Sequence, residues 1–116
     1  MNSTYPCIKV NDIETTISWY RDFLGFQCTY KSSIKNPDSA IIEKNGQKIY
    51  IVMYESREAY ASNMVIIEVA DIKAEHKALE KSGAIMVQDI GKGLFSDNEF
   101  VIKDYEDNKI IYKEKT

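Results

Sequence analysis

The sequence has little histidine and cysteine and no apolar segment long enough to span a membrane. Among 116 residues there is one histidine, His76, and two cysteines, Cys7 and Cys28. The apolar runs are only a few residues long, far short of the roughly 20 residues that cross a bilayer. The stretch Met1-Asn2-Ser3-Thr4 carries no basic region followed by an apolar run, so no signal peptide is expected. Without a secretory signal, Asn2-Ser3-Thr4 reads as a chance match to a glycosylation acceptor. In the same light the two cysteines read as reduced thiols in the core. Basic charge is also in deficit: 15 Lys and Arg stand against 18 Asp and Glu, a formal net charge of -3. Nucleic acids and anionic membranes call for a basic footprint, so neither is expected as a partner, and the expected location is the cytoplasm. No block of like charge forms a tail.

What is present suits one folded domain over residues 1–116. An apolar share of 44% and a charged share of 28% are ordinary for a globular chain able to bury a core. The chain also repeats itself. Ile8-Lys9-Val10-Asn11-Asp12-Ile13 is echoed by Ile67-Glu68-Val69-Ala70-Asp71-Ile72 at an offset of 59 residues. Gly25-Phe26 is echoed by Gly83-Ala84, and Lys48-Ile49 by Lys109-Ile110. Three landmarks in one order predict two copies of one unit, residues 5–54 and 64–113.

Each copy reads as strand, helix, then three strands. Tyr5 to Val10 is a short strand. Asp12 can cap a helix, its carboxylate accepting from free backbone N–H groups. Ile13, Ile17, Tyr20 and Leu24 fall at helical spacing on one face. Gly25 supplies a left-handed stop. Phe26 to Lys31, Ala40 to Lys44 and Lys48 to Tyr54 follow as strands, the last two joined by the hairpin signal Asn45-Gly46. Residues 33–38 read as a loop. After a polar linker, Met64 to Val69 is a strand. Asp71 caps a helix with Ile72, His76 and Leu79 inward, and Gly83 ends it. Ala84 to Ile90, Phe100 to Lys103 and Asn108 to Lys113 complete the unit.

The helix exit Trp19-Tyr20-Arg21-Asp22-Phe23-Leu24-Gly25-Phe26, set in this doubled pattern, resembles the vicinal-oxygen-chelate superfamily of glyoxalase I, extradiol dioxygenases and bleomycin-resistance proteins. The resemblance covers residues 5 to 113. It implies an α+β fold of two βαβββ modules forming a U-shaped mixed sheet, with helices outside and a cavity within. A ferredoxin-like fold is the second choice, since it has no need of three successive strands after each helix. The segment Asp104-Tyr105-Glu106-Asp107-Asn108 stands where relatives often carry Asp-Pro-Asp-Gly-Asn, and differs at three of five positions.

Relatives take metal ligands, typically His, Gln or Glu, from the first and last strand of each module. The resemblance puts those positions at Tyr5, Tyr50, Met64 and Ile111. Divalent ions need carboxylate oxygen or imidazole nitrogen, which this set lacks. No metal, no cofactor and no catalytic residue are therefore expected, and the metal-assisted reactions of the family are disfavoured. Strand parity adds Cys7 and Lys9 to the side of Tyr5, Ile66 and Glu68 to that of Met64, Val52 and Tyr54 to that of Tyr50, and Lys113 to that of Ile111. The expected ligand-binding set is Tyr5, Cys7, Tyr50, Val52, Met64, Ile66 and Ile111. Its aromatic and aliphatic character suits a flat or apolar ligand.

His76 reads as a helix residue packed beside Ile72 and Leu79, with no motif supplying the orienting partner that a general base requires. Gly91-Lys92-Gly93 lacks the helix that makes a phosphate cradle and reads as a loop at a pocket mouth. Of the glutamates, only Glu68 shares the parity of the cavity face. The expectation is a metal-free binding protein that sequesters an unidentified small molecule as a homodimer. The alternative is a superfamily enzyme, a lyase, isomerase or dioxygenase, with non-standard metal ligands or none.

Overall fold

The computed structural model describes residues 6–53, 64–90 and 98–115. The chain divides into two compact units, Met1–Asn63 and Met64–Thr116. In the first, strand β1 (Cys7–Val10) leads into helix α1 (Ile13–Trp19) and its widened last turn (Tyr20–Leu24). Strands β2 (Gln27–Lys31), β3 (Ser39–Lys44) and β4 (Gln47–Met53) follow. The second unit runs β5 (Met64–Val69), α2 (Ile72–Ser82), β6 (Ile85–Gln88), β7 (Glu99–Lys103) and β8 (Lys109–Glu114). The fold is α+β, with two four-stranded mixed sheets.

The two sheets share one topology, β1-β4-β3-β2 and β5-β8-β7-β6. In each, the first strand pairs parallel to the last, and the other pairings are antiparallel. A parallel pair needs a long crossover. Here the helix and two strands supply it. A bulge interrupts the outer strand of each sheet, between Cys28 and Tyr30 and between Met86 and Gln88.

Both helices start as their sequences require. The Asp12 carboxylate accepts from the Thr15 N–H at 2.9 Å, and Asp71 from Ala74 at 3.1 Å. Such caps contribute about 0.5–2 kcal/mol each. The N-terminus of α2 gains a second acceptor, because Glu114 of β8 takes the Ile72 N–H at 3.1 Å. Both helices stop at left-handed glycines, Gly25 (φ 82°) and Gly83 (φ 90°). The closures differ by one residue. Ala84 N–H reaches back five positions to the Leu79 carbonyl, whereas Phe26 N–H reaches back six, to Tyr20. From cap to stop the first unit has 13 steps and the second 12, while cap to Tyr20 and cap to Leu79 are both 8. The extra residue therefore lies between Tyr20 and Gly25, and the helix absorbs it by widening to π geometry. Lys44 steadies this exit, its Nζ donating to the Leu24 carbonyl at 2.7 Å.

The core lies between each helix and one sheet face. In the first unit Ile8, Val10, Ala40, Ile42, Ile49 and Ile51 are buried on one face, met by Ile13, Ile17, Tyr20 and Leu24. Tyr20 packs edge-on against Phe26. In the second, Val65, Ile67, Phe100, Ile102, Ile110 and Tyr112 lie buried with Ile72 and Leu79. Asn45 (φ 51°) and Gly46 (φ 81°) make the expected tight turn. The Asp104–Asn108 turn also closes despite its altered residues. Buried Asp104 accepts from the Glu106 and Asn108 backbones at 2.9 and 3.0 Å and from Asn108 Nδ2 at 3.2 Å.

Cys28 departs from expectation. Cys7 is buried, but Cys28 is exposed, and neither is in a disulfide. The reason is position: β2 is the outermost strand of its sheet and all five of its residues are exposed. Among the described residues no helix is long and apolar enough to cross a membrane.

Candidate functional site

Each sheet has a second face, turned away from its helix. In the first unit it carries Cys7, Tyr50 and Ile41 in one row across β1, β4 and β3, and Lys9, Val52 and Ser39 in the next. The bulge sets Tyr30 beside Ile41. Cys7 and Val52 are buried, while Lys9, Tyr50 and Ile41 are half-buried. Tyr5, Tyr54 and the Gly91-Lys92-Gly93 segment lie outside the described residues.

In the second unit three rows cross the corresponding face. Met64, Lys109, Lys103 and Ile85 form the first, and Ile66, Ile111, Val101 and Gln88 the second. Glu68, Lys113 and Glu99 form the third. An apolar band thus runs between two rows that bear charge. Met64 is 44% exposed and Ile66 55%, large values for such side chains in regular strands. A contiguous exposed apolar patch is a feature of binding surfaces.

The structure brings Cys7, Tyr50 and Val52 to one face of the first sheet, and Met64, Ile66 and Ile111 to one face of the second. As donors they are a phenol, a thioether and a hydrocarbon at Tyr50, Met64 and Ile111. That chemistry does not fit a divalent ion. Among the described residues no three His, Cys, Asp or Glu side chains gather in one place.

His76 has a partner that the sequence did not reveal. Its Nε2 lies 2.6 Å from Asp89 Oδ1, and its side chain is only 15% exposed. The ring packs edge-on against Phe100, centroids 5.0 Å apart, and Phe100 in turn lies 5.0 Å from Tyr112. The expectation of packing holds, and the expectation of no orienting partner is corrected. Helix α2 carries His76 over the end of β6, so residues 13 apart meet. This pair sits on the helix side of the sheet, with Phe100 and Tyr112, and so on the opposite side from Ile66 and Ile111. Burial, and then the nearby Glu75 carboxylate, push the Tyr112 phenol well above the usual tyrosine range.

Two buried polar atoms meet no hydrogen-bonding partner among the described residues: Tyr112 Oη and Gln88 Nε2. The first belongs to the core. The second stands at the end of the apolar band, on the open face, and the sequence reading did not include it. The bulge at Met86/Gln88 resets the alternation of β6 and so puts Gln88 in register with Val101.

Among curated proteins no sequence match is found. Solved structures do match over nearly the whole chain. TioX from Micromonospora sp. ML1 is 14% identical, with 99% of this chain and 97% of that one covered at a TM-score of 0.80. The bleomycin-binding protein of bleomycin-producing Streptomyces verticillus, solved with copper(II)-bleomycin, is 19% identical, with 100% and 98% covered at 0.75. TnmS3, an antibiotic binding protein from Streptomyces sp. CB03234, is 12% identical, with 99% and 98% covered at 0.69. At these identities the likeness is one of fold. A family model matches residues 4–112. The doubled topology, the two glycine-stopped helices and that match together place the chain in the Glyoxalase/Bleomycin resistance protein/Dioxygenase superfamily.

Proposed function

We propose that this chain is a metal-free binding protein that sequesters a flat or apolar small molecule on the sheet faces turned away from the helices. One observation carries the reading. Where relatives place metal ligands, Tyr50, Met64 and Ile111 offer ring, thioether and hydrocarbon, and Met64 and Ile66 stand exposed beside Ile111. Such a surface can stack and desolvate a ligand but offers no Lewis acid. Two of the similar structures are of proteins that bind bleomycin or another antibiotic, which supports the same class of occupant. The ligand-binding set is Tyr5, Cys7, Tyr50, Val52, Met64, Ile66 and Ile111. Residues 5–54 and 64–113 act as two modules of one domain, and the protein works in the cytoplasm, where its thiols stay reduced.

An enzyme of the superfamily would need an acid–base group on the same face. Glu68 and Glu99 stand on that face in the charged row, whereas the paired His76 and Asp89 lie on the helix side. The test is a substitution pair read by thermal shift and calorimetry against a library of planar natural products that includes bleomycin. Tyr50→Ala should weaken the best binder several-fold, because a ring stacked on a ligand contributes about 0.5–1.5 kcal/mol beyond burial. His76→Gln should leave affinity within twofold, roughly 0.4 kcal/mol. If His76→Gln abolishes binding and Tyr50→Ala does not, the site is misplaced.

A further inference from the structure

Four features of the molecule remain unused by the binding reading: the His76–Asp89 pair, the buried Tyr112 hydroxyl, the exposed Cys28 and the buried Gln88 amide. The first two lie under α2 with the core. Cys28 stands alone on an outer strand, its Sγ directed to the Tyr30 carbonyl at 3.3 Å. Gln88 differs from all three. It is a half-buried polar side chain at the end of an apolar band, and its buried Nε2 donor meets no hydrogen-bonding partner among the described residues.

We infer that Gln88 is the polar anchor of the site, and that the ligand presents a neutral carbonyl oxygen to its Nε2–H while its flat apolar body lies along Val101, Ile111 and Ile66. The inference rests on the binding reading and makes its ligand class specific.

The register supports each part. Gln88, Val101, Ile111 and Ile66 are successive partners across β6, β7, β8 and β5, so they form a straight row. With strands about 4.8 Å apart, such a row spans roughly 14 Å, the length of two or three fused rings. The rows on either side do not favour a charged ligand. One carries Lys109 and Lys103, the latter paired with Asp107 at 3.2 Å, and the other alternates Glu68, Lys113 and Glu99. Over the two edges together Lys103, Lys109 and Lys113 face Glu68, Glu99 and Asp107, so neither sign prevails.

Energetics explains why such a residue would be kept. A buried N–H without an acceptor destabilises the free protein, and an apolar residue of equal size there would be stabilising. The bulge adds to the case. It interrupts the ladder of β6 at the step that brings this amide to the open face, and bulges often re-aim a side chain next to a site. The Gln88 side chain must turn for a carbonyl on the face to reach Nε2, and the donor then gains the bond that it lacks among the described residues. A ligand of the same shape without the oxygen leaves the donor unpaired and gains nothing, which is how such a site discriminates.

Acetylnaphthalene and isopropenylnaphthalene make the matched probes, because they differ by a carbonyl oxygen against a methylene group. Both are titrated calorimetrically into the full chain and into Gln88→Leu, with Gln88→Met as a second variant should the first fold poorly. The expected preference for the ketone falls by about fivefold from the natural chain to either variant, the size of one net hydrogen bond. Isopropenylnaphthalene binds all three proteins alike, and the melting temperature of the free protein rises in Gln88→Leu. If both probes bind but their ratio is the same in all three proteins, the Gln88 inference is overturned and the binding reading stands. If Gln88→Leu melts lower, the amide has a structural bond and the inference is overturned again. If neither probe binds, the apolar band is no ligand site and both readings fall.

Discussion

Tyr112 is the largest polar side chain in the second core, and its hydroxyl is buried without a partner among the described residues. Removing that oxygen should help the protein. Tyr112→Phe is expected to stabilise it at neutral pH by about 1 kcal/mol, measured by urea unfolding. The variant should also change the alkaline limb. Burial raises the folded-state phenol above its ordinary value of 10.0. Below that pH both folded and unfolded chains keep the proton. Above it the unfolded chain ionises and the folded one does not, so stability falls as pH rises. In Tyr112→Phe the urea midpoint should fall less steeply between pH 9.5 and 11 (approximate limits set by the usual tyrosine value). An unchanged slope would place the phenol in contact with water. Residues such as Tyr112, Gln88 and Asp89 show where reading by sequence ends. Their burial and pairing arise from contacts between a helix and a strand, or from a bulge, and no local pattern encodes either. Cys28 is exposed for a related reason: composition says that a thiol prefers the core, but only strand order says that β2 is outermost.

At the scale of elements the chain was far more legible. Asp12 and Asp71, Gly25 and Gly83, and Asn45-Gly46 each act through their own backbone or that of residues close by, so their roles are written locally. Strand and helix bounds agree with the periodicities to within a residue or two. The widened turn Tyr20–Leu24 had only a faint signal, the single-residue mismatch between echoes of the repeat. That mismatch yields a test. Deleting the exposed Asp22 should let the turn revert to α geometry while Gly25 keeps its place, at a cost of about 1 kcal/mol or less, comparable to a lost helix-exit bond. Deleting Lys77 from α2 removes a residue that helix cannot spare. It turns everything beyond by about 100° and should cost more than about 3 kcal/mol through exposure of Leu79. Equal losses in the urea midpoint would mean that the first helix holds no spare residue. The two bulges had no signal at all, which is why strand parity located the first and last strands of each unit but not Gln88 or Tyr30.

For the whole molecule, the repeat, the two sheets of identical order and the family match tell one story about the fold. The occupant of the open faces is another matter, because apolar side chains specify a ligand by shape and leave few letters in the sequence. Two of the seven proposed residues, Cys7 and Val52, are already covered, and two, Met64 and Ile66, are exposed. Exposed apolar residues, and the edges of β2 and β6 that meet no further strand among the described residues, are features that proteins usually cover. A homodimer would do so by the commonest closed symmetry. Light scattering at micromolar concentration should therefore give twice the 13.4 kDa chain mass, and a monomeric mass would remove the dimer from this account. The central claim is that these faces hold an organic molecule where relatives hold an ion. Native mass spectrometry of the protein purified from its own cells tests this most directly. The expected result is an adduct of a few hundred daltons (about the mass of a ligand filling a pocket of roughly 300–1,000 Å³), lost on denaturation, with no metal ion bound. A mass excess equal to one transition-metal ion per chain, or the bare polypeptide alone, would contradict it.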